Sequence, residues 1–494
     1  MKNSPLRWSA VCLLVAAGLG LGMVAVATPQ DPTVIYLVRH AETEFPPYAD
    51  SPPNPYLNEV GLARANTLAD DLDDASLSRV FSTEYRRTWT TALPVAHRAG
   101  LDVEAYDPRD LAGFASELRS LRGTILVVGH SNTTPMLVEA LGGDPGEPID
   151  ERTEFNRIYK VTIRGGSIET VETHYGVPLP DRLRAEGATT RDAAFIGAAK
   201  NFRFYSSFWT NLNDALYWQA LPNSTAPPIT ECLETLNAEA SGGWSAAAAW
   251  YGDEMGQRNP RTDPLMREVR RYLAALSEEP LGDAATVVLG HLRGAAPAYQ
   301  LCLWQAHDAR NRAWSDDLLD LVDKHEDEMI SRLETAYKDS YPELIPVDIM
   351  SYANWAGANT MGRPLHMALS SVDPDNLGAG SFEILYHEGS HGVFGPGWGH
   401  TYEVLATAFE SRGLEARRDI WHAVLFFTTG QISMEILHAN GYPDYSAYMV
   451  RGGVYDEYYP LLLEAWQPYL DGEIDLSAAA EAFAASVEAA RDAG

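Results

Sequence analysis

The sequence predicts two domains: an N-terminal three-layer α/β domain on a mostly parallel sheet, and a mainly helical C-terminal α+β domain. The first observation is the length of 494 residues, about three times that of a typical single domain. The second is that short apolar runs alternate with amphipathic stretches from Thr33 to about Gly176. The third is that the later sequence changes to long helical patterns rich in Ala, Leu, Trp and Tyr.

The alternating pattern defines the first domain, residues 32–176, and is typical of βαβ units. Its successive stretches are VIYLV, GLARANTLADDL, SRVFST, TILVVGH and MLVEALGG. Segment 177–190 combines two prolines and a glycine with charged residues, which predicts a linker. Residues 191–494 then form the second domain, with strands predicted around PVDIMSYAN and LHMALSSV.

Residues 1–27 have the features of a secretory signal peptide. Lys2 and Arg7 precede an apolar run that ends in Ala-Val-Ala, the small residues that a signal peptidase accepts. We therefore expect cleavage after Ala27 and export to the periplasm or the medium. An uncleaved membrane anchor is the alternative, because about 20 apolar residues can span a bilayer.

Charge limits the partners of the mature chain. The 68 acidic and 37 basic residues give a formal net charge of −31. This charge opposes non-specific binding to nucleic acid and to anionic membrane surfaces. We expect neither as a partner.

Two cysteines, Cys232 and Cys302, remain after signal cleavage. In an oxidising compartment they can form a disulfide. Lone cysteines are also often buried as free thiols. The sequence leaves both states open.

Polar residues follow three predicted strands of the first domain. Arg39-His40 ends the run VIYLV, Gly129-His130 ends ILVV, and the segment STEYRRTWTTA follows RVF. Because parallel strands carry their sites at their carboxyl ends, we expect two imidazoles and two or three guanidiniums to lie together. A nucleophile with cations that neutralise the equatorial oxygens is what phosphoryl transfer requires.

These motifs, with LNEVGLARA and a closing THYG, resemble the histidine phosphatase superfamily, the phosphoglycerate mutase-like group, over about residues 32–176. The resemblance implies that His40 is the nucleophile that becomes phosphorylated. It implies that Arg39 and Arg87 bind the phosphate and that His130 completes the pocket. The implied activity is hydrolysis of a small phosphorylated substrate without a cofactor.

Two adjacent arginines, Arg86 and Arg87, stand in the segment STEYRRTWTTA, and only one matches the phosphate-binding arginine of the family. We assign Arg87 rather than Arg86 because the arginine of the family stands four residues before a Thr-Ala pair, here Thr91-Ala92. Two departures weaken a mutase interpretation. Ala41 replaces the glycine of the RHG motif, and Phe45-Pro-Pro stands where mutases have an asparagine.

The proton donor to the leaving group is not fixed by a motif. Asp107, in AYDP after a short predicted strand, is our candidate, followed by Glu104 and Asp110. An aspartate before Pro108 is equally typical of a turn.

The second domain contains an HExxH motif. Histidines at i and i+4 of a helix share one face, so His387 and His391 can bind one zinc, and Glu388 can activate water. A third ligand is needed. We prefer His422, because metal ligation explains an imidazole in so apolar a helix as DIWHAVLFFTTG. Glu410, 19 residues after His391, is the alternative and matches a gluzincin-type spacing.

This region resembles uncharacterised bacterial proteins in which an HEGSH-like or HEASH-like motif precedes a Trp-His helix, which implies a zincin-like domain but no substrate. The predicted function is an exported phosphomonoesterase with a phosphohistidine intermediate, fused to a peptidase-like zinc-dependent hydrolase whose substrate, a peptide or another molecule, the sequence leaves open. The alternative is a phosphate-binding or partner-binding module with a structural or vestigial zinc site. Structural zinc sites usually have four cysteine or histidine ligands, and the nearest cysteine, Cys302, is distant in sequence.

Overall fold

The computed structural model describes most of the chain outside its N-terminal segment. The described residues are 32–43, 54–151, 153–176, 194–222, 224–274, 281–354, 356–362 and 365–493. The predicted signal peptide, residues 1–27, and the predicted linker, residues 177–190, lie outside them, as does Phe45-Pro-Pro. Export, signal cleavage and the domain boundaries therefore stay predictions.

One mixed sheet forms the centre of the first region. Its strands are β1 (Thr33–Arg39), β2 (Leu77–Ser82), β3 (Val103–Ala105), β4 (Gly123–Gly129), β5 (Arg157–Arg164) and β6 (Ser167–His174). They are arranged in the order β3-β2-β4-β1-β5-β6. The first four are parallel, whereas β5 runs antiparallel to β1, and β6 runs antiparallel to β5.

The antiparallel strands are the difference from the predicted mostly parallel sheet. The chain returns to the carboxyl edge before β5 begins, since the carbonyls of Asp150 and Glu151 accept hydrogen bonds from Arg39 at the end of β1. Strand β5 must therefore run back down the sheet. Gly165 and Gly166, at φ angles of 56° and 87°, then form the tight turn to β6.

Helices cover both faces of this sheet. They are α1 (Glu59–Asp71), α2 (Arg86–Ala99), α3 (Leu111–Ser120) and α4 (Thr133–Ala140). Ile35 and Leu37 of β1 share a core cluster with Phe114 of α3, while Val38 shares another with Leu68 of α1. Alternate residues of a strand point to opposite faces, so one short strand contributes to two cores. The predicted three layers are present.

The second region is helix-rich and contains a second mixed sheet. Its strands are β7 (Phe195–Ala198), β8 (Phe202–Tyr205), β9 (Ile345–Met350), β10 (Ala358–Met361) and β11 (His366–Ser370). The order is β10-β11-β9-β8-β7, with β8, β9 and β11 parallel. The strands predicted around PVDIMSYAN and LHMALSSV correspond to β9 and β11.

Helices account for most of the remaining residues of this region. They are α5 (Phe208–Ala220), α6 (Thr230–Leu233), α7 (Ala238–Trp250), α8 (Pro264–Leu273), α9 (Asp283–Tyr299), α10 (Gln305–Tyr337), α11 (Ala379–Ser390), α12 (His400–Ser411), α13 (Arg418–Ala439), α14 (Tyr448–Arg451), α15 (Tyr459–Ala465), α16 (Gln467–Leu470) and α17 (Leu476–Ala493). Among the described residues, no helix combines the length and the apolar character needed to cross a bilayer.

The two regions share part of a hydrophobic core. Leu57 and Leu62 of the first region belong to the same buried cluster as Phe208 and Trp209 of α5. The ring of Tyr56 contacts that of Trp209 edge to face, with centroids 5.8 Å apart. The start of α5 therefore packs against the first region, close to the loop that follows β1.

Cys232 and Cys302 form a disulfide, which resolves the alternative that the sequence left open. Their Cα atoms are 5.8 Å apart and 70 residues separate them in sequence. The bridge joins α6 to the helical turn that follows α9. It therefore closes a loop that contains α7, α8 and α9.

Candidate active sites

His40 and His130 lie side by side because two neighbouring strands end there. Arg39, the last residue of β1, pairs with Gly129, the last residue of β4. The His40 N–H donates a hydrogen bond to the Gly129 carbonyl at 2.9 Å, and the two imidazole centroids are 5.6 Å apart. Both side chains are buried. The structure thus brings together the two strand ends that the sequence singled out.

Of the two arginines that begin α2, only the second reaches these histidines. Arg87 Nη2 lies 3.3 Å from His130 Nδ1, and its guanidinium lies 4.5 Å above the centroid of the Tyr85 ring. The Arg86 guanidinium lies instead over Tyr56. Consecutive helical residues are separated by about 100° around the axis, which directs the two adjacent arginines to different surroundings.

The hydrogen bonds of the two imidazoles indicate their tautomers. His40 Nδ1 is 2.7 Å from the Ala41 carbonyl, which only accepts, so Nδ1 carries the proton and Nε2 keeps its lone pair. Arg87 only donates, so His130 Nδ1 is the acceptor. His130 Nε2 then carries the proton and donates to Thr83 Oγ1 at 3.1 Å. The ring nitrogen of His40 that is free to react is therefore Nε2.

The pocket keeps both imidazoles neutral. Burial lowers the pKa of His40 well below its ordinary value of 6.5, and Arg39 adds to this effect. Burial, followed by Arg87 and Arg39, lowers the pKa of His130 to about 4. In the described part of the chain, neither arginine forms an ion pair with a carboxylate. Glu151 lies close enough to act on both arginines without an ion pair, so the guanidiniums keep hydrogen-bonding capacity for a phosphate.

Arg39 is fixed by the segment that precedes β5. Its Nη1 donates to the carbonyls of Asp150 at 3.2 Å and Glu154 at 2.9 Å, and its Nη2 donates to that of Glu151 at 2.7 Å. The guanidinium lies 4.0 Å above the centroid of the Phe155 ring. Burial lowers the pKa of Arg39 to about 10. Nε is buried without a hydrogen-bond partner, and we regard it as a donor that a ligand would satisfy.

A buried ion pair that we did not single out in the sequence supports the loop after β1. Arg64 Nε donates to both carboxylate oxygens of Glu42 at 2.8 Å, and both side chains are 4% exposed. The Ala41 N–H donates to Thr91 Oγ1 at 3.0 Å. The available signal was a charged residue in each of the motifs HAET and LARA, since buried charges require partners.

Asp107, the predicted proton donor, lies away from the histidines. It follows β3, and its carboxylate accepts hydrogen bonds from the Arg109 backbone and side chain, both at 3.0 Å. These bonds lower the pKa of Asp107, so the carboxylate is ionised at neutral pH. Its side chain is 51% exposed. The structure does not bring this carboxylate into contact with His40 or His130.

The three histidines predicted as metal ligands converge. His387 and His391 lie at the end of α11, His422 lies on α13, and one nitrogen of each lies within 4.8 Å of the others. His387 Nδ1 and His422 Nε2 are buried without hydrogen-bond partners, which is costly unless a ligand satisfies them. These donors fit a zinc ion. Glu410 is exposed at the end of α12 and is not part of the cluster.

Tyr455 holds the third histidine in place. Its hydroxyl lies 3.1 Å from His422 Nδ1, which leaves Nε2 to face the other two imidazoles. Tyr455 has a φ angle of 60°, a conformation that non-glycine residues rarely adopt. The surrounding structure must compensate for this strain, as is common at functional sites.

Glu388 is buried beside the histidine cluster. Thr360 of β10 donates its hydroxyl to the Glu388 carboxylate and also approaches the Glu388 carbonyl at 2.9 Å. Gly389, a poor helix former, is required by packing: a Cβ there would lie 2.1 Å from the Tyr341 hydroxyl oxygen. The close approach of α11 to Tyr341 therefore explains the glycine within the motif.

A cleft of about 550 Å³ opens beside this cluster. Its lining includes His391, Thr360, Trp398 and two arginines, Arg261 and Arg418. The Trp398 indole N–H donates to the His391 carbonyl at 2.9 Å and so connects one wall to the motif. The cleft is large enough for a small ligand or a peptide segment.

Comparison with known proteins identifies part of the first region. Residues 35–108 match the histidine phosphatase superfamily (branch 1). Phosphoserine phosphatase 1 of Hydrogenobacter thermophilus is 30% identical over 134 residues, which cover 27% of this chain and 55% of that protein. The chain thus spans about half the length of this curated relative.

Similar solved structures cover about the same share of the chain. A mutant phosphoserine phosphatase from Entamoeba histolytica, in complex with phosphoserine, is 15% identical and covers 29% of this chain and 96% of that one, with a TM-score of 0.23. The histidine phosphatase SixA in complex with tungstate is 19% identical and covers 30% and 96%, with a TM-score of 0.24. At these TM-scores the assignment rests on the family match and the curated relative.

Proposed function

We propose, from the histidine phosphatase superfamily match at residues 35–108, that the first region hydrolyses small phosphomonoesters through a phosphohistidine on His40. The observation that carries this proposal is a pair of buried neutral imidazoles beside two guanidiniums without carboxylate partners. Relatives named as phosphoserine phosphatases suggest small phosphorylated substrates.

His40 is the nucleophile in this mechanism. Its Nε2 lone pair attacks phosphorus, an N–P bond forms, and the bond between phosphorus and the ester oxygen breaks. Arg87 and the Nε of Arg39 neutralise the phosphoryl oxygens, and His130 lines the same pocket. Water then attacks the phosphohistidine, which releases phosphate and restores the imidazole.

The leaving oxygen needs a proton, and Asp107 stays our candidate for its donor. To serve, it would have to leave Arg109 and become protonated, because its present hydrogen bonds stabilise the carboxylate. A substrate that displaces Arg109 would remove these bonds, and its anionic phosphoryl group beside the carboxylate would raise the pKa of Asp107 so that it takes up a proton from solvent. Asp107→Asn should then slow turnover most for esters with poorly activated leaving groups.

The test is His40→Ala in the full chain, with His174→Ala as a matched control. His174 is 51% exposed at the end of β6, where its Nε2 lies 3.6 Å from the Glu154 carboxylate. Hydrolysis of p-nitrophenyl phosphate and phosphoserine should disappear in His40→Ala and persist in the control. Brief reaction with labelled substrate should yield an acid-labile phosphoprotein only when His40 is present. Undiminished turnover without His40, or turnover lost on metal chelation, would contradict this mechanism.

A second function is favoured by the histidine cluster: we propose that His387, His391 and His422 hold zinc in a hydrolase that acts on peptides. When bound, zinc supplies Lewis-acid polarisation of a substrate carbonyl and of water. Glu388 accepts the proton of the hydrolytic water, and Thr360 orients its carboxylate. A structural or vestigial zinc site is the competing interpretation.

Metal content and hydrolysis separate these interpretations. Glu388→Gln should retain zinc and lose hydrolysis, because the glutamate is not a ligand, whereas His387→Ala should lose zinc. His422→Ala should lose zinc and Glu410→Ala should not, since Glu410 is outside the cluster. A zinc-loaded protein whose Glu388→Gln variant behaves like the wild type would favour a structural site.

We also propose that the protein is exported. The Cys232–Cys302 disulfide supports this, because disulfides persist in oxidising compartments. Mass spectrometry of the mature protein should find an N-terminus at Thr28 and no free thiol. An intact residue 1 on membrane-bound protein would instead support the uncleaved anchor.

A further inference from the structure

The cleft beside the histidine cluster contains two arginines without ion pairs. Arg261 and Arg418 both line it, and neither guanidinium forms a salt bridge or a hydrogen bond within the described residues. Nearby arginines differ: Arg417 pairs with Asp419 at 2.9 Å, and Arg258 pairs with Asp263 at 3.0 Å. Arg261 and Arg418 thus differ from these two neighbours in sequence.

This arrangement is unexpected in so acidic a protein. With 68 acidic and 37 basic residues, a carboxylate is the most available neighbour for any arginine. Arg261 is partly buried, and its pKa is lowered mainly by burial and further by Arg418. Arg418 is exposed, whereas the Arg261 guanidinium loses part of its hydration and is repelled by Arg418. An anion bound between the two would lower the free energy of the cleft.

The two arginines lie next to the proposed catalytic group. Glu388, together with Tyr455, acts on the charge of Arg261, and His391 lines the same cleft. The other walls are largely apolar and aromatic, formed by Pro342, Leu365, Pro396, Trp398 and Trp421. A ligand there would place a negative group on the arginines and an apolar group against these walls.

We propose that this cleft binds a peptide carboxylate through Arg261 and Arg418, next to the bond to be hydrolysed. The inference rests on the hydrolase proposed for the histidine cluster and names its substrate class, peptides with an anionic group beside an apolar residue. Guanidiniums suit a carboxylate because their planar N–H donors match its two oxygens. The carboxylate belongs either to the free C-terminus or to an acidic side chain.

Calorimetry of peptide binding to the full-length Glu388→Gln variant tests carboxylate recognition, because this variant should not hydrolyse the peptides. The ligands are N-acetyl-leucyl-alanine, its C-terminal amide, and N-acetyl-leucyl-glutamic acid amide, which carries its carboxylate on the side chain. At least one carboxylate ligand should bind about tenfold or more tightly than the neutral amide, as expected for charge-assisted hydrogen bonds. Preference between the two acids identifies the source of the carboxylate.

Three further substitutions in the Glu388→Gln variant identify which arginines bind the carboxylate. Arg261→Gln and Arg418→Gln should each abolish most of the preference over the amide, and Arg417→Gln should retain it, because Arg417 already pairs with Asp419. Equal affinity for the acids and the amide, or an unchanged preference in both cleft variants, would overturn the inference.

Zinc content, measured on the same samples, separates this inference from the proposal on which it rests. A zinc-loaded protein without carboxylate preference would overturn the cleft assignment alone. A zinc-free protein that still binds carboxylates through Arg261 and Arg418 would remove the hydrolase and leave the binding site.

Discussion

Replacing Arg87 with lysine tests the phosphate pocket most directly. Arg87 is the cation that contacts His130, with Nη2 at 3.3 Å from Nδ1, and burial lowers its pKa, which shows that the guanidinium has lost part of its hydration. Lysine keeps the positive charge but lacks the planar pair of N–H donors. The variant therefore separates the effect of hydrogen-bond geometry from that of charge.

The expected loss of kcat in Arg87→Lys follows from these contacts. Removing one preorganised donor to a transition-state oxygen costs about 2.7–4 kcal/mol, or a factor of about 10² to 10³ in kcat. We expect Arg87→Lys to reduce kcat by at least about 10²-fold, because water replaces a lost donor poorly in a partly buried pocket. Binding of the ground-state phosphate should weaken less, since the charge remains.

Arg86→Lys is the matched control, with the same substitution one residue earlier on the same helix. Its guanidinium lies over Tyr56 and not by the histidines, so kcat should change less than about threefold. Steady-state hydrolysis of p-nitrophenyl phosphate measures both variants, and circular dichroism confirms that each is folded. Equal losses of kcat, or a larger loss for Arg86→Lys, would refute the assignment of Arg87 as the arginine that binds the phosphate.

Three further predictions concern the histidines, the loop after β1 and the disulfide. Burial and the two arginines lower the pKa of His130 to about 4, so its neutral form persists well below pH 6.5. NMR titration of ¹⁵N-labelled histidine should show this for His130 and also for His40, whose pKa is lowered too. A titration midpoint of 6.5 for His130 would contradict the prediction. Arg64→Met leaves Glu42 as a buried unpaired charge and should lower the free energy of unfolding by about 3–5 kcal/mol in urea, an effect that Arg86→Met should not reproduce. Cys302→Ser opens a loop of 70 residues and should cost up to roughly 4 kcal/mol, whereas stability unaffected by reductant would exclude a structural role for the bridge.

The two regions are not independent in their packing. Trp209 at the start of α5 contacts Tyr56. The Tyr56 ring also lies under the guanidinium of Arg86, the residue that precedes Arg87. Arg293 of α9 lies over the same ring at 5.7 Å from its centroid. Residues from the helical region thus reach the surroundings of the proposed phosphate pocket.

The fold of the first region follows largely from local patterns. A run such as VIYLV, apolar and rich in β-branched residues, is typical of a central strand that is covered on both faces. The direction of β5 did not follow, because it depends on where the preceding segment meets Arg39, a contact of more than 110 residues in sequence separation. The sheet is therefore mixed where the βαβ rhythm alone predicts a mostly parallel one.

By itself the sequence determined features set by neighbours within one strand or helix. The Arg39-His40 pair at a strand end and the i, i+4 spacing of His387 and His391 are properties of backbone geometry, and local sequence encodes that geometry. Tertiary structure alone decided which distant group completes each site. It placed His422 and not Glu410 beside the HExxH pair, because that choice depends on which face of a second helix packs against α11. Spacing along a chain specifies no such contact, since helices far apart in sequence meet only when their apolar surfaces are buried together.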